Sequence, residues 1–357
     1  MNKNQTQTVF YCLAIFLLAG YICYIGASII IPVMFAALLS VFISPIQSKI
    51  VSFINIKWLS IILAFLAIIL PLLLITTLSS YQLINIMDSL PSIGEGIKQG
   101  LEKIVNVANN IVPGLGLDVE SLKPDKDANI ETPLKLLGQG LVSTSHFIGS
   151  TALVLVYSFL FLYYKDSFKN FLTYIFGKDN KTEVKETLKE MIDTIQSYIG
   201  GLGLVVVILS VLNSIGLTLI GIEHAIFWGV LAGMLAIIPY IGTLLGGLLP
   251  FIYTLATADA SWQPYAVVGY YLFIQQVEGN FITPKIVGDK VDVNPLFSIF
   301  SLVVFGSFWG ISGIILALPL ISIAKIILSQ FDNTKAISVL MSSDVSSKKG
   351  VFKRLAD

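Results

Sequence analysis

The residues best equipped for chemistry lie in one short run, QQVEGNFITPKIVGDKVDVNPL, from Gln275 to Leu296. Gln275 and Gln276 offer amide groups, Glu278 a carboxylate, and Asn280 both donors and an acceptor. Together they predict a polar seat for a small solute, with Glu278 as a proton or cation carrier. The competing reading makes Glu278 an interfacial carboxylate that snorkels or pairs with Lys285. Gly279 loosens the helix beside it. Pro284 is expected to end that helix by pushing Thr283 out of the α region, and Pro295 suits the first turn of the next one. Asn213 and Ser214 sit inside an apolar run, where polar side chains need internal partners. They either line a solute path or join helices. Asp259, in a turn with Ser261 and Trp262, and Lys325, near the end of the last apolar tract, both suit interfaces.

Other chemistries find little support. His146 and His224 lie far apart with no HExxH or Cys partner, so no metal site is expected. Cys12 and Cys23 both fall in apolar runs, which fits helix packing rather than a disulfide. There is no GxxxxGK[ST] for nucleotide and no GxSxG nucleophile elbow, so neither ATP nor another cofactor is expected, and an enzyme ranks last. A net charge of zero argues against nucleic acid as a partner.

The elements that must position these residues are apolar. Of the 357 residues, 55% are hydrophobic and 12% charged, and mean hydropathy is +0.84. A soluble domain carries about 25% charge. Long apolar runs make this an all-α polytopic membrane protein, with the lipid bilayer as its solvent. Candidate spans cover Val9 to Ile25, Ser28 to Ile43, Trp58 to Leu78, Phe147 to Tyr164, Ile199 to Ile220 and Tyr265 to Ile282, about six full crossings. The first is expected to be retained, because no convincing cleavage site follows it. Two longer tracts are interrupted. Residues 225–258 contain Pro239, Gly242, Gly246 and Gly247; residues 296–328 contain Gly306, Gly310, Gly313 and Pro319. Each tract is about 50 Å long as a helix, too long for one crossing and suited to a broken hairpin.

This gives an expected order of parts: N-terminal spans over 1–80, an extracytoplasmic amphipathic insert over 81–145, and a span over 146–164. A cytoplasmic amphipathic region over 165–198 follows, then C-terminal spans with the two hairpins over 199–328 and a basic cytoplasmic tail over 329–357. The insert carries a helical stripe from Ile86 to Ile111. The cytoplasmic region carries another from Val184 to Ile199, with Asn180 and Glu183 as a capping-box start. Lysines crowd the 165–198 segment and the tail, while Tyr81 to Ser145 is net acidic. The positive-inside rule then puts both termini in the cytoplasm. Two hairpins entering from opposite sides, with a carboxylate-bearing helix between them, is a pattern that secondary transporters use to hold solute or ion. Close packing by membrane Gly and Pro is the competing explanation.

Several motifs carry a resemblance. EGNFITPKIVG from Glu278, VNPL from Val293, FGSFWGISGIILALP from Phe305 and the following Lys325 resemble the autoinducer-2 exporter family. So do PYIGTLLGGLLP from Pro239 and the P-I-x-x-x-I end of the second span at Pro45 to Ile50. The resemblance implies export of a small solute from a bacterial cell across its inner (plasma) membrane. For some members the solute is a furanone-type quorum signal, and for others transport is sodium- or proton-coupled exchange. It also implies homo-oligomers, with pentamers as the assembly. The leading expectation is a secondary transporter of a small polar solute, and the alternative is a non-transporting oligomeric scaffold or channel.

Overall fold

A computed structural model of the chain describes residues 3–88, 144–177, 180–239, 241–258, 260–287 and 292–343. Most of the Ile86 to Ile111 stripe, and Asp259, lie outside them. Among the described residues every regular element is helical. The order is α1 (Lys3–Ile25), α2 (Ala27–Ile54), α3 (Lys57–Asp88), α4 (Thr144–Tyr163), α5 (Lys165–Phe176) and α6 (Lys181–Ile220). Then come α7 (Ala225–Leu235), α8 (Ile241–Thr257), α9 (Gln263–Val277), a π-helical turn (Glu278–Ile282), α10 (Thr283–Ile286), α11 (Pro295–Ser329) and α12 (Asp332–Met341). Ala27–Ile54, Lys57–Ile75, Lys181–Ile220 and Pro295–Ser329 are each long and apolar enough to cross a membrane. The chain is therefore an all-α polytopic membrane protein.

Two expectations about element ends are corrected. The amphipathic stripe and the span expected on either side of Ile199 form a single helix, α6, of 40 residues. The change at Ile199 is one of composition only. No proline interrupts residues 181–220, so the helix continues where its surroundings change. Its start shows the first half of the capping box, Glu183 N–H donating to Asn180 Oδ1 at 3.2 Å, while the return bond runs from the Asn180 side-chain amide, not its backbone, to Glu183 Oε2 at 3.2 Å. The second correction concerns Pro284. Thr283 stays helical at φ −62, ψ −46, and its N–H bonds the Glu278 carbonyl. Proline strips the donor that would serve the Asn280 carbonyl. The π turn absorbs this by shifting the register one residue, so the helix runs through Pro284 to Ile286.

The chain divides into two compact units. One comprises residues 1–66, 147–200 and 287–357. Its packing centres on Leu38, Ile195 and Leu316, with Phe35, Ile199 and Trp309 against them. Polar side chains inside it are tied. Gln47, 1% exposed, donates to Ser60 Oγ at 3.0 Å and accepts from Lys165 Nζ at 2.8 Å. Trp309 Nε1 donates to the Cys23 carbonyl at 3.0 Å. α11 is a hairpin: its backbone leaves helical geometry at Gly310, with φ 60 and ψ −139, a region open essentially to glycine. A Cβ on Gly306 would lie 3.0 Å from Ile314, and Gly313 lies against the Phe305 carbonyl. In a straight helix Phe305 and Gly313 would be about 12 Å apart. Pro295 takes the first helical turn as expected, capped by Asn294 Oδ1 accepting from Phe297 N–H at 3.1 Å.

A clasp closes the base of this hairpin. Asp292 accepts from Lys325 Nζ at 2.5 Å, from Ser343 N–H at 2.9 Å and from Ser343 Oγ at 2.5 Å. Asn294 Nδ2 donates to the Leu340 carbonyl at 2.6 Å, so α12 is strapped to the same loop. Partial burial opposes the charge on Asp292, but the hydrogen bonds from Lys325 and Ser343 outweigh it and hold the carboxyl well below the usual carboxylate range.

The other unit comprises residues 67–146 and 201–286. Its core joins Leu217, Ile222, Phe227, Trp228, Tyr253 and Val267. α6 ends in a left-handed glycine cap: Gly221 has φ +82, and Ile222 N–H bonds the Leu217 carbonyl at 3.0 Å. The tract over 225–258 folds back as expected, with α7 and α8 as its arms and Pro239 in the turn between them.

Candidate functional site

A small cleft lined by both apolar and polar residues forms inside the second unit. α6 presents Leu209 and Asn213, one turn apart. The last turn of α7 presents Ala232 and Ala236, and the first turns of α8 present Thr243 and Gly246. α9 and the π turn supply Tyr271, Ile274, Gln275 and Glu278, whose i, i+3, i+4 and i+7 spacing puts them on one face.

Glycine makes this convergence possible. A Cβ on Gly246 would lie 3.0 Å from the Ala232 Cβ, so its absence lets the two arms touch. A Cβ on Gly247 would lie 3.0 Å from Tyr271 Cγ, so this glycine seats the aromatic ring. Gly242 packs against the Leu235 carbonyl at the turn. On α7, Gly229 and Gly233 rest on Ser214 and Ser210 of α6, the small-residue contact of membrane helices.

The cleft contains unsatisfied polar atoms. Asn213 is only 4% exposed, and among the described residues its Oδ1 has no hydrogen-bond partner. The Tyr271 hydroxyl is likewise buried and without a partner. An orphaned buried polar group costs about 1–3 kcal/mol, and two of the residues that line the cleft carry one each. The free space is small. About 20 Å³ is open to the centre of a water-sized body, which accommodates roughly one. Glu278 makes no ion pair among the described residues, so the pairing with Lys285 does not form.

The residues singled out from sequence divide three ways. Asn213, Gln275, Glu278 and Gly246 meet in the cleft. Gln276 and Asn280 do not line it: both are exposed, and Asn280 Nδ2 donates to the Gln276 carbonyl and to its Oε1, each at 3.0 Å. Gly306, Gly310, Gly313 and Pro319 belong to the other unit. Asn213 and Ser214 also part company. Asn213 faces the cleft, while Ser214 Oγ bonds the Ser210 carbonyl at 2.7 Å and sits under Gly229, so it joins helices. Sequence reasoning missed Tyr271 and Thr243. Tyr271 stands four and seven residues before Gln275 and Glu278, and that spacing was the available signal.

Gly/Pro-broken hairpins of this kind also occur in secondary transporters. The sequence pattern described as AI-2E family transporter matches residues 11–333, and the chain belongs to that family. The putative transport protein YueF of Bacillus subtilis is 29% identical over 168 residues, 46% of this chain and 45% of its own length. A putative transport protein of Borreliella burgdorferi is 30% identical over 206 residues, 55% of this chain and 56% of its own. The chain thus spans about half the length of these two relatives. The AI-2 transport protein TqsA of Escherichia coli K12 is 24% identical over 317 residues, 89% of this chain and 90% of its own length.

Proposed function

We propose that the chain is a secondary transporter exporting a small polar solute across a bacterial plasma membrane, driven by a proton or sodium gradient. The cleft around Asn213, Tyr271, Gln275 and Glu278 is its coupling seat. The observation that carries this reading is that two residues with an unpartnered buried polar atom line the same cleft as a carboxylate. A bare anchor gains nothing from that arrangement, and a carboxylate near an apolar helix end is costly unless it binds something. The first hairpin supports the reading. α7 has 11 residues, about 16 Å, against a hydrocarbon core of about 30 Å. Such an arm enters the bilayer without crossing it and brings its turn to the interior, as the interrupted helices of transporters do.

The name of the TqsA relative makes a furanone-type signal the first solute to try. A molecule of that size exceeds the space free in this conformation, so on this reading the cleft must open to admit it. Homo-oligomers, pentamers among them, with both termini in the cytoplasm, complete the proposal.

The test uses the purified chain in proteoliposomes. Radiolabelled solute counterflow is measured first, then uphill flux under an imposed proton or sodium gradient. Glu278→Gln keeps shape and hydrogen bonding but cannot titrate. It is expected to abolish gradient-driven flux and to leave counterflow within about threefold. Wild-type vesicles that catalyse no counterflow with any solute of a broad screen would hand the argument to the scaffold reading.

A further inference from the structure

We propose that residues 344–357 of this chain dock in an apolar groove on the first unit, formed by α5, the start of α6 and the end of α11. The inference is independent of whether the chain transports.

The groove measures about 470 Å³, in the size class of ligand pockets. Phe176 of α5, Leu188 and Met191 of α6, Ile327 of α11 and Phe331 beyond it supply its apolar wall. Phe176 is 65% exposed, Phe331 55% and Ile327 43%, and exposed apolar side chains gathered in one place mark an interaction surface. Asn180, Glu183, Thr187 and Gln330 line the same groove. A peptide, unlike an acyl chain, presents hydrogen-bonding groups to such a mixed lining.

Position selects which peptide. The Asp292 clasp holds Ser343 against the hairpin of α11, and its Lys325 stands two residues before Ile327 of the groove. α12 joins Phe331 to the clasp with 10 residues, about 15 Å, too short for a hydrocarbon core of about 30 Å. The groove and the root of residues 344–357 therefore lie on the same side of the membrane. From that root the segment reaches up to about 45–50 Å when extended, well beyond the length of α12.

The composition of the segment fits. Val351, Phe352 and Leu355 recur at i, i+1 and i+4, the anchor spacing of a helical turn laid in a groove. Lys348, Lys349, Lys353 and Arg354 outnumber Asp344 and Asp357. On α6, Glu183, Glu186 and Glu190 form an exposed acidic edge at i, i+3 and i+7. None of the three makes an ion pair among the described residues. Lys181, Lys185 and Lys189 take the other edge. Charge therefore sets which way the basic segment lies, and burial of Phe352 and Leu355 holds it there.

The experiment uses the full-length chain in detergent, with Cys12 and Cys23 replaced by Ser. Thr187→Cys places a thiol in the groove and Ala356→Cys one in the segment. Under mild oxidation the expected product is an intrachain disulfide, which runs as a monomer on a non-reducing gel and takes up no maleimide-polyethylene glycol. Adding Phe352→Asp and Leu355→Asp should slow its formation at least fivefold. The same two substitutions should make Thr187→Cys alone react at least fivefold faster with a water-soluble maleimide. Tyr174→Cys is the control and should not respond: Tyr174 is 79% exposed, and its spacing puts it on the side of α5 opposite Leu172 and Phe176. A disulfide between chains overturns the proposal and gives the groove to a second copy. Equal rates with and without the two aspartates overturn it as well, and further slowing on reconstitution into phospholipid vesicles would then give the groove to lipid.

Discussion

At the scale of single residues, position within the turn decides what a polar side chain does. Gln276 and Asn280 bond each other on the exposed side of the helix, whereas Gln275 and Glu278 face the cleft. Asn280→Ala is therefore expected to change solute half-saturation by less than about twofold, within the range of surface substitutions away from special features. A loss above tenfold in the same counterflow assay would move the solute contact outside the cleft. Asp292 gives a prediction of a different kind. Its carboxyl is held below an unfolded value of about 3.9. The clasp's contribution is thus fully present above about pH 4 and is lost as pH falls through the lower, folded value. Charge-assisted hydrogen bonds, discounted for partial exposure, put that contribution at about 1 kcal/mol. Asp292→Asn should speed hydrogen exchange in residues 332–343 by a constant factor from pH 5 to 8, with the difference vanishing in strong acid. An equal exchange rate at neutral pH would show that the clasp adds nothing.

At the scale of elements, glycines of one composition do three different jobs. Gly246 permits contact between hairpin arms, so Gly246→Leu should separate α7 from α8 and lower Tm, not merely block flux. Gly310 has open space around it but a φ of +60. Gly310→Ala should then cost about 1–3 kcal/mol through backbone strain alone. Gly269, equally uncrowded but ordinary in φ within α9, should gain about 0.5–1 kcal/mol as Ala. Matched thermal melts of Gly310→Ala and Gly269→Ala, shifting in opposite directions, check both. The same contrast explains what sequence made legible. Local signals held: the Asn180–Glu183 cap, Pro295 in a first turn, and a fold-back in each Gly/Pro-rich tract. Signals of composition misled, because polarity changes at Ile199 without any backbone device to stop α6. Pro284 misled because a proline's lost donor has two remedies, ending the helix or widening one turn, and the sequence favours neither. Tyr271 shares the helix face of Gln275 and Glu278 by its spacing, but an aromatic in an apolar run also suits lipid, and it is the packing against Gly247 that makes it a cleft wall.

At the scale of the whole molecule, the lysine pattern carries a prediction about which side of the membrane each segment faces. Single cysteines replacing Ser121 and Ser347, both outside the described residues, in a background without Cys12 and Cys23, should react with impermeant thiol reagents from opposite sides. Ser121→Cys should label in intact cells and Ser347→Cys only in inverted vesicles. Labelling of both from one side would break the parity that two hairpins require.

The Asp292 clasp also bears on how the molecule is made. Asp292 and its partner Ser343 are 51 positions apart. At ordinary elongation rates of 5–20 residues per second, the ribosome takes roughly 3–10 s to supply the second after the first. During that interval α11 itself is being made, and Ser343 follows the end of its second arm at Ser329. The clasp therefore closes only after both arms of the hairpin have been made, and it cannot help the first arm to form. Loss of Asp292 should accordingly leave delivery to the membrane intact and shorten the lifetime of the delivered protein.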